Sequence, residues 1–186
     1  MGKSLTEMTL EELWQLFPIV LTPHRDCWEQ WYREEEEFLK TILPENVRPS
    51  HIGSTAIPGI AAKPIVDILL TAPAGTDLKE LRELLCENGY ICMSESPNRI
   101  SLNKGYTENG YAERVFHLHI HFEGDAEELR FRDYLLRHPR KAREYEKLKL
   151  SLWKRYEHDR DGYTEAKGEF IRSCLREAGE EDGAGA

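Results

Sequence analysis

The sequence predicts an α+β fold, a mixed β-sheet flanked by N- and C-terminal helices. Three observations predict it. Apolar residues recur at helical intervals through the first 43 residues and again after about residue 125. Between them lie short runs rich in β-branched residues, bounded by Gly and Pro, which is strand texture. No repeat and no linker divides the 186 residues, so a single unit spanning 1–178 is expected, with 1–22 as a helical extension and 179–186 as a flexible tail.

The elements follow in order. Thr9 and Glu12 have capping-box spacing, and Leu10, Leu13, Trp14 and Phe17 form a stripe that Pro18 ends. A second helix starts near Pro23 or His24, carries Trp28, Trp31, Tyr32, Phe38 and Leu39 inward, and closes at Pro44. The stretches VRPSHIGS and PIVDILL read as strands. Residues 77–88 read as an amphipathic helix with Thr76 at its cap and Gly89 just beyond it. YICMS, RISLN and RVFHLHIHF read as three further strands. Helices are then expected over 125–137, 141–156 and 164–178.

Composition narrows the function. With 34 acidic and 25 basic residues the chain carries a net charge of −9, against the clustered positive footprint of a long nucleic-acid binder. Aromatics at 10%, with four Trp, exclude a solvated coil. No apolar run of about 18 residues is present, so no membrane span is expected. The first ten residues lack an apolar signal core, which points to a cytoplasmic location. Cys27, Cys86, Cys92 and Cys174 fit no zinc template and read as small, buried or half-buried hydrophobes.

The chemistry concentrates in residues 51–67. A strand ending at Ile52 meets Gly53-Ser54, where small residues let a ligand approach the backbone and free amides can hold phosphate oxygens. Asp67 is the one acid in an apolar strand, a costly placement unless it is paired or metal-bound. It is a candidate magnesium, manganese or zinc ligand and a candidate catalytic residue. His117, His119 and His121 alternate with apolar residues, which puts all three imidazoles on one strand face about 7 Å apart. His117 and His119 are candidate metal ligands, and His119 also a catalytic acid–base. Lys63, Lys104, Arg114, Arg132 and Lys167 are candidates for neutralising phosphate.

The run HIGSTAIPGIAAKPIVDILL resembles the signature of the GrpB family, and FRDYLLRHPRKAREYEKLK and YTEAKGEFI are similar to its C-terminal helices. The resemblance spans roughly residues 24–175 and implies a nucleotidyltransferase-like fold. Of that superfamily's pattern, Ile52-Gly53-Ser54 and Asp67 match. The paired acid does not: Leu69 or Ile65 stands in its place. Two functions are therefore expected as alternatives. One is metal-dependent nucleotidyl transfer from a nucleoside triphosphate to a small molecule or protein. The other is a non-catalytic nucleotide- or metal-binding or folding-accessory domain. In either case a small nucleotide is the expected partner, and oligomeric state is not legible.

Overall fold

The computed structural model describes residues 5–184. Helix α1 (Leu10–Leu16) opens with the expected reciprocal cap. Thr9 Oγ1 accepts from the Glu12 amide at 3.2 Å, and Glu12 accepts from the Thr9 amide at 2.8 Å. Residues 17–22, expected to continue a helical extension, are instead extended. Phe17, Ile19 and Leu21 are buried, and Thr22 makes an antiparallel bridge with Ala62. Pro18 and Pro23 bracket this stretch and Ile19-Val20 are β-branched, so a helix there would lose amide donors and side-chain freedom. Helix α2 (Cys27–Ile42) follows, burying Trp28, Tyr32, Glu35 and Leu39.

Strands β1 (Arg48–Ile52), β2 (Val66–Ala72), β3 (Ile91–Glu95), β4 (Arg99–Thr107) and β5 (Gly110–Phe122) form one sheet in the order β1-β2-β5-β4-β3. β2 and β5 run parallel at its centre, and every other pair is antiparallel. The sheet is therefore mixed, as expected. Helix α3 (Leu78–Glu87) joins β2 to β3; its cap is Asp77 rather than Thr76. The Asp77 carboxylate accepts from the Lys79 and Glu80 amides, whereas the Thr76 hydroxyl donates backward to the Pro73 carbonyl.

Strand alternation divides the side chains cleanly. Val66, Ile68 and Leu70 of β2, Phe116, Leu118 and Ile120 of β5, and Ile100 and Leu102 of β4 pack against α2 and α3 in the main core. The opposite face carries Asp67, Leu69 and Thr71 in register with His117, His119 and His121. This second face would be unusable if it were apolar and solvated. It is instead polar, beside the C-terminal helices.

Those helices are α4 (Glu127–Arg137), α5 (Pro139–Trp153) and α6 (Arg160–Ala184). They enclose a second core of Tyr134, Leu135, Ala142, Tyr145, Cys174 and Ala178, into which Ile57 and Ile60 of the β1–β2 connection insert. Helix α6 runs to Ala184, past the expected end at residue 178; residues 185 and 186 lie outside the described residues. The extra turn is anchored by Glu181, which lies 3.0 Å from His138 and 3.5 Å from Arg137. Cys174 is buried and Cys27 and Cys92 half-buried, but Cys86, on the outer side of α3, is exposed. No helix among the described residues is long and apolar enough to cross a membrane.

Candidate functional site

Strand β1 ends at Gly53, whose φ of +71° turns the chain into a single 3-10 turn over Ser54–Ala56. A Cβ at this glycine would sit 2.3 Å from Asp67 Oδ2. The turn therefore needs glycine twice over, for its backbone angle and for the closeness of the carboxylate. Gly53→Ala is expected to cost about 1–3 kcal/mol and to push the Asp67 carboxylate aside, which chemical denaturation together with ligand affinity would measure. Ser54 shares a hydrogen bond with the buried Tyr145 hydroxyl, tying the turn to α5.

Asp67 projects from β2 with about a quarter of its side chain still in solvent (27%). Its Oδ1 lies 3.3 Å from His117 Nδ1, and His117 Nε2 lies 2.7 Å from the Tyr106 hydroxyl, giving a carboxylate–imidazole–phenol chain across three strands. Burial alone would raise the Asp67 pKa. The His117 hydrogen bond and the charges of His117, His119 and Lys63 outweigh it and hold the carboxyl at about 2. Burial pushes His117 down to about 4, against the pull of Asp67, so the imidazole is neutral at pH 7.

Cations gather around this carboxylate and its partner His117. Lys63 comes from the loop before β2, Lys149 from α5, and Arg160 and Lys167 from α6. Burial, reinforced by Arg160, lowers Lys63 to about 8. Burial also lowers Lys149 to about 7, with Lys63 adding repulsion and Glu146 opposing it. Lys167 falls to about 7 through burial and the charges of Lys63 and Lys149. Asp67 acts on all three lysines in the opposite sense. Lys149 is 2% exposed and donates to the Ala61 carbonyl. Arg160 donates to the Tyr111 hydroxyl at 2.6 Å, while its Nε is buried without a hydrogen-bond partner. Tyr163 lies under Lys167, with 4.3 Å from the ammonium to the ring centroid, and its own hydroxyl is buried and unpaired.

The arithmetic of charge is simple. With their ammonium groups protonated, Lys63, Lys149 and Lys167 join Arg160 to supply four positive charges, set against Asp67 among them and Glu146 beside Lys149. Cations in such excess, Lys149 buried and the other three half-buried, repel one another and are poorly compensated. A ligand bearing several negative charges would relieve the repulsion and satisfy the idle donors.

Several expectations are met only in part. Gly53, Ser54, Asp67, His117, Lys63 and Lys167 come together. His119 shares their sheet face, but its Nδ1 faces Ser101 Oγ at 3.3 Å, and Asp67, His117 and His119 do not converge as a three-ligand set. Lys104 and Arg114 belong to the opposite face. Lys104 pairs with Glu35 at 2.7 Å over the Phe38 ring, and Arg114 with Glu34 beside Trp31. Their even-numbered registers on β4 and β5 put them with Phe116, toward α2. Arg132 instead braces the end of β1, donating to the His51 carbonyl at 2.7 Å. Lys149 and Arg160 are the residues that motif reading missed.

The GrpB protein family model matches residues 18–177, most of the chain and every element from α2 through the greater part of α6. The chain belongs to the GrpB family. A UPF0157 protein of Pseudomonas aeruginosa is 38% identical to it over 164 residues, covering 86% of this chain and 67% of the relative. The glutamate-rich protein GrpB of Alkalihalophilus pseudofirmus is 34% identical over 166 residues, 86% of this chain and 95% of the relative. The crystal structure of GrpB from Enterococcus faecalis superposes with a TM-score of 0.73 at 32% identity, covering 87% of this chain and 98% of that one. The mixed sheet with its flanking helices is thus the architecture of a GrpB protein.

Proposed function

We propose that this GrpB protein binds a nucleoside triphosphate with one divalent cation at Asp67 and transfers the nucleotidyl group to a hydroxyl acceptor. The observation that carries the proposal is the convergence of Lys63, Lys149 and Lys167 on a single carboxylate beside the Gly53-Ser54 turn, with Arg160 next to Lys63 and His117. A triphosphate brings the charge that these groups lack. The donor set fits one cation rather than two. Asp67 is the lone carboxylate at the turn, the superfamily's second acid position falls on Leu69 or Ile65, both buried, and His119 faces Ser101. Magnesium is commonly held in this way, by one or two carboxylates and the substrate's own phosphates. When bound it would withdraw charge from the phosphates.

The remaining chemistry falls to the chain. The acceptor oxygen forms a bond to the α-phosphorus, the bond from that phosphorus to the bridging oxygen breaks, and pyrophosphate leaves toward the lysines. Burial lowers the His119 pKa, so its imidazole is free to take the acceptor's proton at neutral pH. His119→Ala is expected to slow turnover by about 100-fold while leaving nucleotide affinity within about twofold, a kcat effect without a KM effect.

A specific observation favours a second reading, binding without transfer: a buried apolar side chain, Leu69 or Ile65, stands where the superfamily's second carboxylate would. Incubation with the four nucleoside triphosphates labelled at the α-phosphate, with Mg²⁺ or Mn²⁺ and a metabolite extract, separates the two. Label appearing on an acceptor with release of pyrophosphate supports transfer. Saturable binding with no pyrophosphate release supports the second reading.

A further inference from the structure

We propose that His121, Asp125 and Glu128 form a separate site for one divalent transition cation of the zinc class. The three residues span the exit of β5, the turn that follows, and the first turn of α4, and their ligand atoms lie within 4.8 Å of one another. His121 Nδ1 is 3.7 Å from Asp125 Oδ2 and 3.6 Å from Glu128 Oε2. Four-coordinate zinc with bonds of about 2.0–2.2 Å sets its ligands roughly 3.4 Å apart, close to these separations. An octahedral ion of the same bond length needs about 3.0 Å.

A second, independent observation points to a missing ligand. Glu128 Oε2 is shielded from solvent and accepts no hydrogen bond, although it faces the buried His121 ring. An orphaned carboxylate oxygen of this kind is rare in native proteins, and it calls for an ion or another donor. The turn supplies one more oxygen: the Asp125 carbonyl accepts from His121 Nδ1 at 3.4 Å, and a cation bound there would displace that ring proton.

Arg99 does not close the site. It grips Asp125 Oδ2 and Oδ1 through Nε and a terminal nitrogen at 2.8 and 2.7 Å, lies 3.9 Å from Glu128 Oε1 and is half exposed, so it flanks the cation position without touching Glu128 Oε2 or His121. A carboxylate offers about four lone-pair sites, so this pair fixes the orientation of Asp125 and leaves room for a metal, as outer partners of metal-bound carboxylates do. One imidazole with two carboxylates suits zinc or manganese better than calcium. Four residues of strand separate His121 from His117, about 13 Å, so this site and the Asp67 site are distinct.

Bound there, the cation would clip the end of the central strand to the start of α4. The test is metal content and coordination in the full chain. After EDTA treatment and dialysis against zinc, the wild-type protein and Asp67→Ala are each expected to retain about one zinc at this site, with a rise in Tm. Glu128→Gln and Asp125→Asn, both on partly exposed side chains, are expected to weaken zinc binding by about 100-fold. Cobalt(II) in place of zinc should give the intense visible absorption of a four-coordinate ion. The proposal is overturned if stripped wild-type protein retains no zinc, if both variants keep wild-type affinity, or if cobalt shows the weak spectrum of a six-coordinate ion. Loss of zinc in Asp67→Ala but not in Glu128→Gln would also overturn it, by moving the metal to the other site.

Discussion

Replacing Lys149 and Lys167 together with methionine is expected to weaken triphosphate binding about 1,000-fold and, at the same time, to make the free protein more stable. A hydrogen bond to a charged group contributes about 1.5–3 kcal/mol, so two lysine–phosphate contacts amount to two to four decades of affinity. In the free protein the same lysines are a burden. Burial and mutual repulsion bring both to a pKa of about 7. Methionine keeps their length without the charge. The Lys149 bond to the Ala61 carbonyl is lost, taking back about 1 kcal/mol. The net gain should be about 1–2 kcal/mol, or a few degrees in Tm.

The pH dependence carries the same signature. In the folded protein these lysines titrate near 7, against 10.5 in the unfolded chain. Between those values the unfolded chain binds more protons, so stability rises with pH. The penalty is full below about pH 7 and fades toward pH 10, above which ionisation of tyrosines in the unfolded chain favours unfolding. Chemical denaturation from pH 7 to 10 should show the rise in wild type and a flatter profile in the double variant. A triphosphate reverses the shift by stabilising the ammonium forms, so binding at pH 8 should draw protons from the buffer.

The second large effect is at Asp67. Asp67→Asn is expected to slow nucleotidyl transfer by about 1,000-fold, the loss of several kcal/mol of metal-derived charge stabilisation. It should also remove the dependence of nucleotide binding on Mg²⁺ and tighten binding of the metal-free triphosphate about tenfold, because one negative charge leaves a cationic cleft. Steady-state rates and titrations with and without magnesium check both halves. A variant that lost binding altogether would show that Asp67 is structural. The carboxyl has a second measurable consequence. Its folded pKa lies near 2 against 3.8 unfolded, so its stabilising contribution is present above about pH 4 and is lost as pH falls toward 2.

Much of this arrangement was legible in the sequence, for identifiable reasons. Strand alternation alone put Asp67 and the three histidines on their faces, because a period of two leaves no freedom. Gly53 was legible as a close-approach position because a small residue at a strand end has few other uses. Lys104 and Arg114 were misassigned. Each looks free in sequence, and only the packing of α2 reveals Glu34 and Glu35 waiting for them. Lys149 and Arg160 escape a motif reading despite a signal that Lys167 shares. Ala142, Tyr145 and Lys149 follow one another at helical spacing on the buried stripe of α5, and so do Tyr163, Lys167 and Cys174 on α6, with Arg160 one turn before Tyr163. A lysine in an apolar register of two adjacent helices is a cation aimed inward. That pattern carries more information than a charge near a motif. The metal trio at His121 was beyond reach, since it depends on how a turn folds Glu128 back over the strand end.

The account turns on whether the cluster around Asp67 is built for a polyphosphate. The most direct measurement is calorimetric titration of the full chain with ATP, GTP, CTP and UTP, each with Mg²⁺, at pH 8 in two buffers of different ionisation enthalpy. The account predicts saturable binding of at least one of them, with net uptake of protons that disappears in the Lys149→Met, Lys167→Met double variant. Absence of binding by all four, or proton uptake unchanged in that variant, would contradict it.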